Sequence, residues 1–250
     1  MFTVRDRDRV RDYVLELAAS DRRVVAGAVV GSSALGREDR WSDLDLTFSV
    51  ADEFSIFDVL EDWTRKIVAE LAATHLFDLP REASIYRVLL LPGCLQFDLS
   101  FTPASKFGAM GPKFRLLFGN AVERPYIPPP SAHELFGYAV HHALRARFCI
   151  ERGRVWQAEY WISSIRDYAL SLACRRRGLP PVEGRGFDDL PSEVREFFKS
   201  TLVTSLDREE LLRALNYSIE GLLREVEEVQ EIADKIEPQL RELTASWDNV

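Results

Sequence analysis

The chain has 250 residues, of which 46% are hydrophobic and 29% charged, with a formal net charge of −8 at pH 7. This composition excludes a disordered chain, and no apolar run approaches the ~20 residues of a membrane-spanning helix. An acidic chain also argues against a protein that binds nucleic acid through many phosphate contacts. The N-terminal segment lacks the apolar core of a signal peptide, and the three cysteines are widely spaced. We therefore expect a cytoplasmic protein with free thiols and no membrane segment.

The first half of the sequence alternates between helical and strand patterns. A helix is predicted over 4–19, and apolar residues at helical spacing predict another over 56–74. Short β-branched or apolar runs predict strands over 24–30, 44–50, 84–91 and 95–101. The dipeptide Pro92-Gly93 between the last two strands is typical of a hairpin turn. These elements indicate an α+β module with a small mixed sheet flanked by helices.

A proline-rich segment separates this module from the rest of the chain. Pro128, Pro129 and Pro130 stand in succession, and neither a helix nor a central strand continues through them. Ser131 and Glu134 follow with the spacing of a helix capping box. Helices are then predicted over 133–152, 154–177, 193–202 and 208–236, the last ending before a proline at 238. We therefore expect an α+β domain over 1–127 and an all-α bundle over 128–250.

The turn after the first predicted strand has the composition of a phosphate-binding turn. Gly31, Ser32 and Ser33 follow the buried run 24–30 directly. A glycine lets the backbone approach a bulky anion, and the N–H groups of the two serines would begin a short helix there. The segment predicts a cradle for phosphate.

Three aspartates have the spacing of a metal site. The next predicted strand begins Asp43-Leu44-Asp45, and side chains alternate along a strand, so both carboxylates share one face while Leu44 faces the core. In the run 95–101, Asp98 takes the face opposite its apolar neighbours, on a strand able to lie beside the first two acids. Three carboxylates on two adjacent strands predict a site for hard divalent cations such as Mg²⁺.

This arrangement resembles the signature of the polymerase-β-type nucleotidyltransferases. Gly31-Ser32 is separated by ten residues from Asp43-Leu44-Asp45, and Asp98 stands in the place of the third acid. The resemblance implies that the Gly-Ser turn holds the triphosphate of ATP or another NTP and that the first two aspartates bind Mg²⁺. It also implies that Asp98 binds metal or activates the acceptor hydroxyl, and that residues 1–127 form the nucleotidyltransferase domain.

The sequence departs from the family pattern at one position. Many members have a basic residue where this chain has Leu35, and the nearest cations here are Arg37 and Arg40. From the resemblance we expect Ser33 and Arg37 to contribute to nucleotide binding beside the Gly-Ser turn. Lys106, in the loop after the strand of Asp98, is a further candidate for phosphate binding.

The length and the helical second half resemble the small antibiotic nucleotidyltransferases, which act on aminoglycosides and lincosamides. The run 152–167, followed by Gly178-Leu179-Pro180, is similar to the helix pair that these enzymes place over the active cleft. The likeness implies a role in antibiotic resistance, with residues 128–250 covering the cleft and selecting a small-molecule hydroxyl acceptor. It also makes Glu159 a candidate general base by position, although an ordinary solvated or ion-paired helix charge explains this residue equally well.

Alternatives remain open from the sequence. The same chemistry could act on a protein or an RNA, although the acidic balance of both halves argues against nucleic acid as the acceptor. A catalytically decayed nucleotide-binding protein would retain the same motif. The chain is expected to be a monomer or a homodimer.

Overall fold

The computed structural model describes residues 1–245. Within it the chain divides into two compact units, Met1–Pro128 and a second unit that begins at Pro129. In the described part of the chain, no helix combines the length and the apolar character needed to cross a membrane.

The first unit is built on a six-stranded mixed sheet. Its strands are β1 Val24–Val30, β2 Leu44–Val50, β3 Thr74–Arg81, β4 Ser84–Leu91, β5 Leu95–Pro103 and β6 Phe114–Phe118. Its helices are α1 Val4–Ser20, the short α2 Gly31–Ala34 and α3 Ile56–Leu71. The spatial order of the strands is β3-β4-β5-β2-β1-β6. The pair β2–β5 is parallel, and the other described pairs are antiparallel.

The two faces of this sheet differ in chemistry. One face packs against α1 and α3 through a buried core that includes Leu46, Phe48 and Trp63, whose exposed fractions are all 0%. Because side chains alternate along β2, Asp45 and Thr47 lie on the opposite face. A small apolar cluster around Phe107 lies outside this main core. The mixed α+β class predicted from the sequence is confirmed, with the polar residues of the central strands away from the helices.

Two edge strands were not predicted from the sequence. Strand β3 is exposed along nearly its whole length and contains Pro80, which an edge strand accommodates because one row of its N–H groups faces away from the sheet. Strand β6 is likewise largely exposed. The predicted helix over 56–74 is too long, because α3 ends at Leu71 and Ala72 adopts a left-handed conformation with φ of 51°.

The second unit is helical, with α4 Ala132–Glu151, α5 Val155–Arg176, α6 Ser192–Lys199, α7 Arg208–Arg224 and α8 Gln230–Glu242. A single long helix over 208–236 is wrong, because the chain breaks between α7 and α8. At the break Glu225 is buried and accepts hydrogen bonds from Arg176 and Arg177, the latter at 2.8 Å. These charge-assisted hydrogen bonds stabilise the buried position of Glu225, where the helix α7 has ended. Pro238 lies inside α8 and does not end it.

Candidate metal centre

Parallel pairing of β2 with β5 brings three carboxylates together. In this register Asp45 lies directly opposite Asp98. Asp43 stands two residues before Asp45, at the entrance to β2. Each of the three partly buried side chains offers a carboxylate oxygen, and these atoms lie within 4.8 Å of one another.

The carboxylates of Asp98 and Asp43 repel each other. Burial raises the pKa of the Asp98 carboxyl above its ordinary value, and the nearby charge of Asp43 raises it further. A hydrogen bond of 3.0 Å from the side-chain amide of Gln96 to Asp98 Oδ1 acts in the opposite direction. Clustered carboxylate oxygens are the donor set that Mg²⁺ prefers, and a divalent cation would offset their mutual repulsion. The residues present therefore fit the predicted metal.

Gly31 is packed against this cluster. Its φ of 69° lies in the left-handed region, and a Cβ at this position would overlap Oδ2 of Asp45. The glycine was expected to let the backbone approach a phosphate. In the structure the anion that approaches it is the chain's own Asp45, so the end of β1 packs against this carboxylate. We call Gly31 with Asp43, Asp45 and Asp98 the carboxylate corner.

The Gly-Ser turn forms the short helix α2 that the sequence suggested. The Ser33 hydroxyl donates a 2.6 Å hydrogen bond to Glu38, while the Ser32 carbonyl accepts from the backbone N–H of Arg37 at 3.1 Å. Arg37 itself is exposed. The nucleotide-binding roles of Gly31, Ser32, Ser33 and Arg37 stay predictions.

The loop before Asp43 is held by a residue that the sequence analysis missed. Arg7 of α1 is only 4% exposed, and its Nη1 donates to the carbonyls of Asp39 at 2.6 Å and Ser42 at 3.0 Å. The Asp39 carboxylate accepts from the Trp41 N–H at 2.8 Å, a bond that lowers the pKa of Asp39. The available signal was that Arg7 continues the stripe of buried residues along α1.

Arg40 and Glu159, two other residues considered from the sequence, each have a contact within their own unit. The Arg40 guanidinium sits 4.3 Å from the centre of the Trp41 ring. Glu159 belongs to α5 in the second unit, where it is partly buried and accepts a 2.6 Å hydrogen bond from the Ser163 hydroxyl. The structure thus groups Gly31 with the three aspartates, whereas the catalytic role of Glu159 stays a prediction.

Alanine substitutions at two glycines separate backbone strain from the overlap with Asp45. Gly31→Ala and Gly36→Ala both place a side chain at positive φ, but a Cβ at Gly36 meets no atom within 4 Å. Each variant should lose about 1 kcal/mol of unfolding free energy from backbone strain. Only Gly31→Ala should displace the Asp45 carboxylate.

The readout is the unfolding free energy measured by denaturant titration with and without Mn²⁺. At ten times its dissociation constant, Mn²⁺ should stabilise the wild type and Gly36→Ala by about 1.4 kcal/mol and Gly31→Ala by much less. Equal stabilisation of both variants would show that Gly31 has no role in shaping the metal centre.

Comparisons with known proteins complete the description of the site. No family model and no curated protein sequence matches the chain. Among solved structures, an aminoglycoside 6-adenyltransferase from Bacillus subtilis is similar over 96% of this chain and 99% of its own, at 14% identity and a TM-score of 0.37. A nucleotidyltransferase-like protein from Exiguobacterium sibiricum 255-15 is similar over 93% of this chain and 80% of its own, at 11% identity and a TM-score of 0.40. These likenesses concern the fold alone, and the function proposed below rests on the site.

Proposed function

We propose that the protein is an Mg²⁺-dependent nucleotidyltransferase that moves the nucleoside monophosphate of ATP, or of another NTP, to a hydroxyl of a small molecule. The observation that carries the proposal is the cluster of Asp43, Asp45 and Asp98 packed against Gly31 of the Gly-Ser turn. A hard-cation site beside the Gly-Ser turn suits a polyphosphate, because the ligand supplies negative charge to a bound cation.

The reaction is an in-line displacement at phosphorus. The acceptor oxygen forms a bond to the α-phosphorus, and the bond from this phosphorus to the bridging oxygen breaks to release pyrophosphate. The proton of the acceptor hydroxyl passes to a carboxylate, for which Asp98 and Glu159 are the candidates. Asp43 and Asp45 would hold Mg²⁺, and Asp98 would complete the set. Bound Mg²⁺ would supply charge neutralisation for the triphosphate.

Positioning accounts for most of the catalysis expected from such a site. Asp43 follows a loop that Arg7 and Asp39 hold by hydrogen bonds, and Asp45 stands in a buried strand against Gly31. Reacting groups that are already oriented avoid an entropic cost at the moment of reaction. The chain thus provides a preformed carboxylate corner before any substrate binds.

The acceptor is a hydroxyl compound of small size in this proposal. The resemblance drawn from the sequence implies an aminoglycoside-like or lincosamide-like antibiotic, and this acceptor stays a prediction. The use of ATP or another NTP with Mg²⁺ is consistent with the cytoplasm as the site of the reaction.

Removing either of the first two carboxylates should abolish transfer. Asp43→Asn and Asp45→Asn keep the side-chain shape but lose the charge that a divalent cation needs, so pyrophosphate release should fall by at least about 10³-fold. Asp12→Asn, at an exposed position on α1, is the matched control and should retain wild-type turnover.

The measurement is pyrophosphate release with ATP, Mg²⁺ and a panel of hydroxyl acceptors, with circular dichroism to verify folding. Unchanged turnover in either site variant contradicts the metal assignment. Calorimetric binding of ATP by the wild type without transfer to any acceptor would instead indicate a decayed nucleotide-binding protein. Labelling of a protein or an RNA in place of small molecules would overturn the acceptor class.

Glu159 can be tested as the proton acceptor by its own variant. If this carboxylate takes the hydroxyl proton, Glu159→Gln should lower kcat by about 100-fold and leave the KM for ATP unchanged. Ser163→Ala removes only the hydrogen bond to Glu159 and should retain at least a tenth of the turnover. Wild-type kcat in Glu159→Gln would exclude Glu159 and leave the proton with Asp98.

A further inference from the structure

A pocket of about 300 Å³ lies within the first unit, on the face of the sheet that carries Asp45 and Asp98. We call it the basic pocket, because its wall includes Lys106, Lys113 and Arg124. The sheet supplies its floor through residues such as Thr47 and Tyr86. Its lining does not include Asp43, Asp45 or Asp98.

The basic pocket begins beside the carboxylates. Its wall includes Val30, the residue before Gly31, and Thr47, which stands two positions beyond Asp45 on the same face of β2. Two residues along a strand span about 7 Å. Tyr86, opposite Ser100 on the neighbouring strand, has a phenol on which the charge of Asp45 acts. A ligand in the pocket can therefore present a group to the metal centre without leaving the first unit.

The charges of the wall have one sign. Lys106, Lys113 and Arg124 are cations, and none of the described residues that line the pocket is acidic, although the chain as a whole carries a net charge of −8. Arg124 is 17% exposed and is held by donation to the Lys106 carbonyl at 3.2 Å and by an ion pair with the exposed Glu82. Lys106 is exposed and Lys113 is partly buried. Several cations on one wall attract an anion more strongly than a single solvated lysine does, because their potentials add.

The rest of the wall suits a body that is largely apolar. Phe107 is 1% exposed, and its ring lies 5.6 Å from that of Phe114, edge to face. Met110 also faces the pocket. On the floor, the hydroxyls of Ser84 and Thr102 bond to each other at 2.7 Å, so each already has a partner. Thr47 and Tyr86 add hydroxyls to the floor, and the charged groups among the described lining residues are the three cations.

We propose that the basic pocket binds the acceptor, and that the acceptor is an anionic hydroxyl compound, a carboxylate or phosphate ester with an apolar or aromatic body. The inference rests on the proposed function and deepens it, because it names the charge class of the substrate. The anionic group binds the cations of the wall while the hydroxyl reaches the carboxylate corner. A polycationic aminoglycoside meets like charges at this wall and is rejected, so this inference replaces the aminoglycoside-like acceptor that the sequence resemblance implies. Charge selection of the acceptor then belongs to residues of Met1–Pro128.

Three probes of the same size and ring isolate the charge. 4-Hydroxyphenylacetate is anionic, tyrosol neutral and tyramine cationic, and each carries a hydroxyl on the same ring. Ligand-observed NMR titration of the wild-type chain, without nucleotide, should give a dissociation constant at least tenfold lower for 4-hydroxyphenylacetate than for tyramine. Tyramine binding as tightly as the anion would overturn the proposal.

Variants locate this preference in the basic pocket. Lys106→Gln and Lys113→Gln should each weaken binding of 4-hydroxyphenylacetate by at least threefold. Lys106→Arg keeps the charge and should retain wild-type binding of this anion. Lys66→Gln, at an exposed site on α3, should leave binding unchanged. Unaltered binding in both glutamine variants, or equal weakening in Lys66→Gln, would contradict the assignment. A raised KM for ATP with unaltered binding of the anion would assign these lysines to the triphosphate instead and also overturn the proposal.

The outcome is separable from that of the proposed function. If the anion binds with the expected preference but no NMP transfer occurs, the pocket stands and the nucleotidyltransferase proposal fails. If transfer depends on Asp43 and Asp45 yet tyramine is labelled as well as 4-hydroxyphenylacetate, the nucleotidyltransferase proposal stands and the anionic acceptor is excluded.

Discussion

The parallel pairing of β2 with β5 is the constraint on which the site depends. It places Asp45 directly opposite Asp98 on two central strands of the sheet. The alternation of side chains then sends the carboxylates to one face and Leu44, Leu46 and Leu99 to the core. Burial of these apolar residues therefore stabilises the register that holds three like charges together. The energetic cost of that repulsion is the reason why the site suits a divalent cation.

Residues outside the cluster keep the corner in place and decide what can approach it. Gly31 leaves room for the Asp45 carboxylate that any side chain would fill, and Arg7 ties the preceding loop to α1. The basic pocket continues along the same face and carries positive charge where the corner carries negative charge. The change from negative to positive charge along this face favours a different ligand at each place. Metal and triphosphate suit the acidic corner, while the positive wall suits an anionic acceptor.

Most of what the sequence predicted depends on local patterns, and most of what it missed depends on distant contacts. The apolar run of β1 stops before Gly31, and that of β2 begins at Leu44, so both bounds follow from the sequence. The spacing of the aspartates is also apparent from the sequence. The edge strands β3 and β6 were not predicted because neither strand buries a face, so their sequences show no alternation of apolar and polar residues. Arg7 binds carbonyls more than thirty residues away, an arrangement that no local pattern encodes. The cations of the basic pocket lie outside the strands, at separate positions in the sequence, and come together only in the folded unit.

The central claim is that Asp43, Asp45 and Asp98 hold a divalent cation on which nucleotide binding depends. Titration of Mn²⁺, followed by electron paramagnetic resonance with a non-hydrolysable α,β-methylene analogue of ATP, tests it directly. The account predicts saturable binding to the wild type, and at least tenfold weaker binding to Asp45→Asn once the signal of the free nucleotide complex is subtracted. Equal affinity of the wild type and Asp45→Asn for Mn²⁺ would contradict the account.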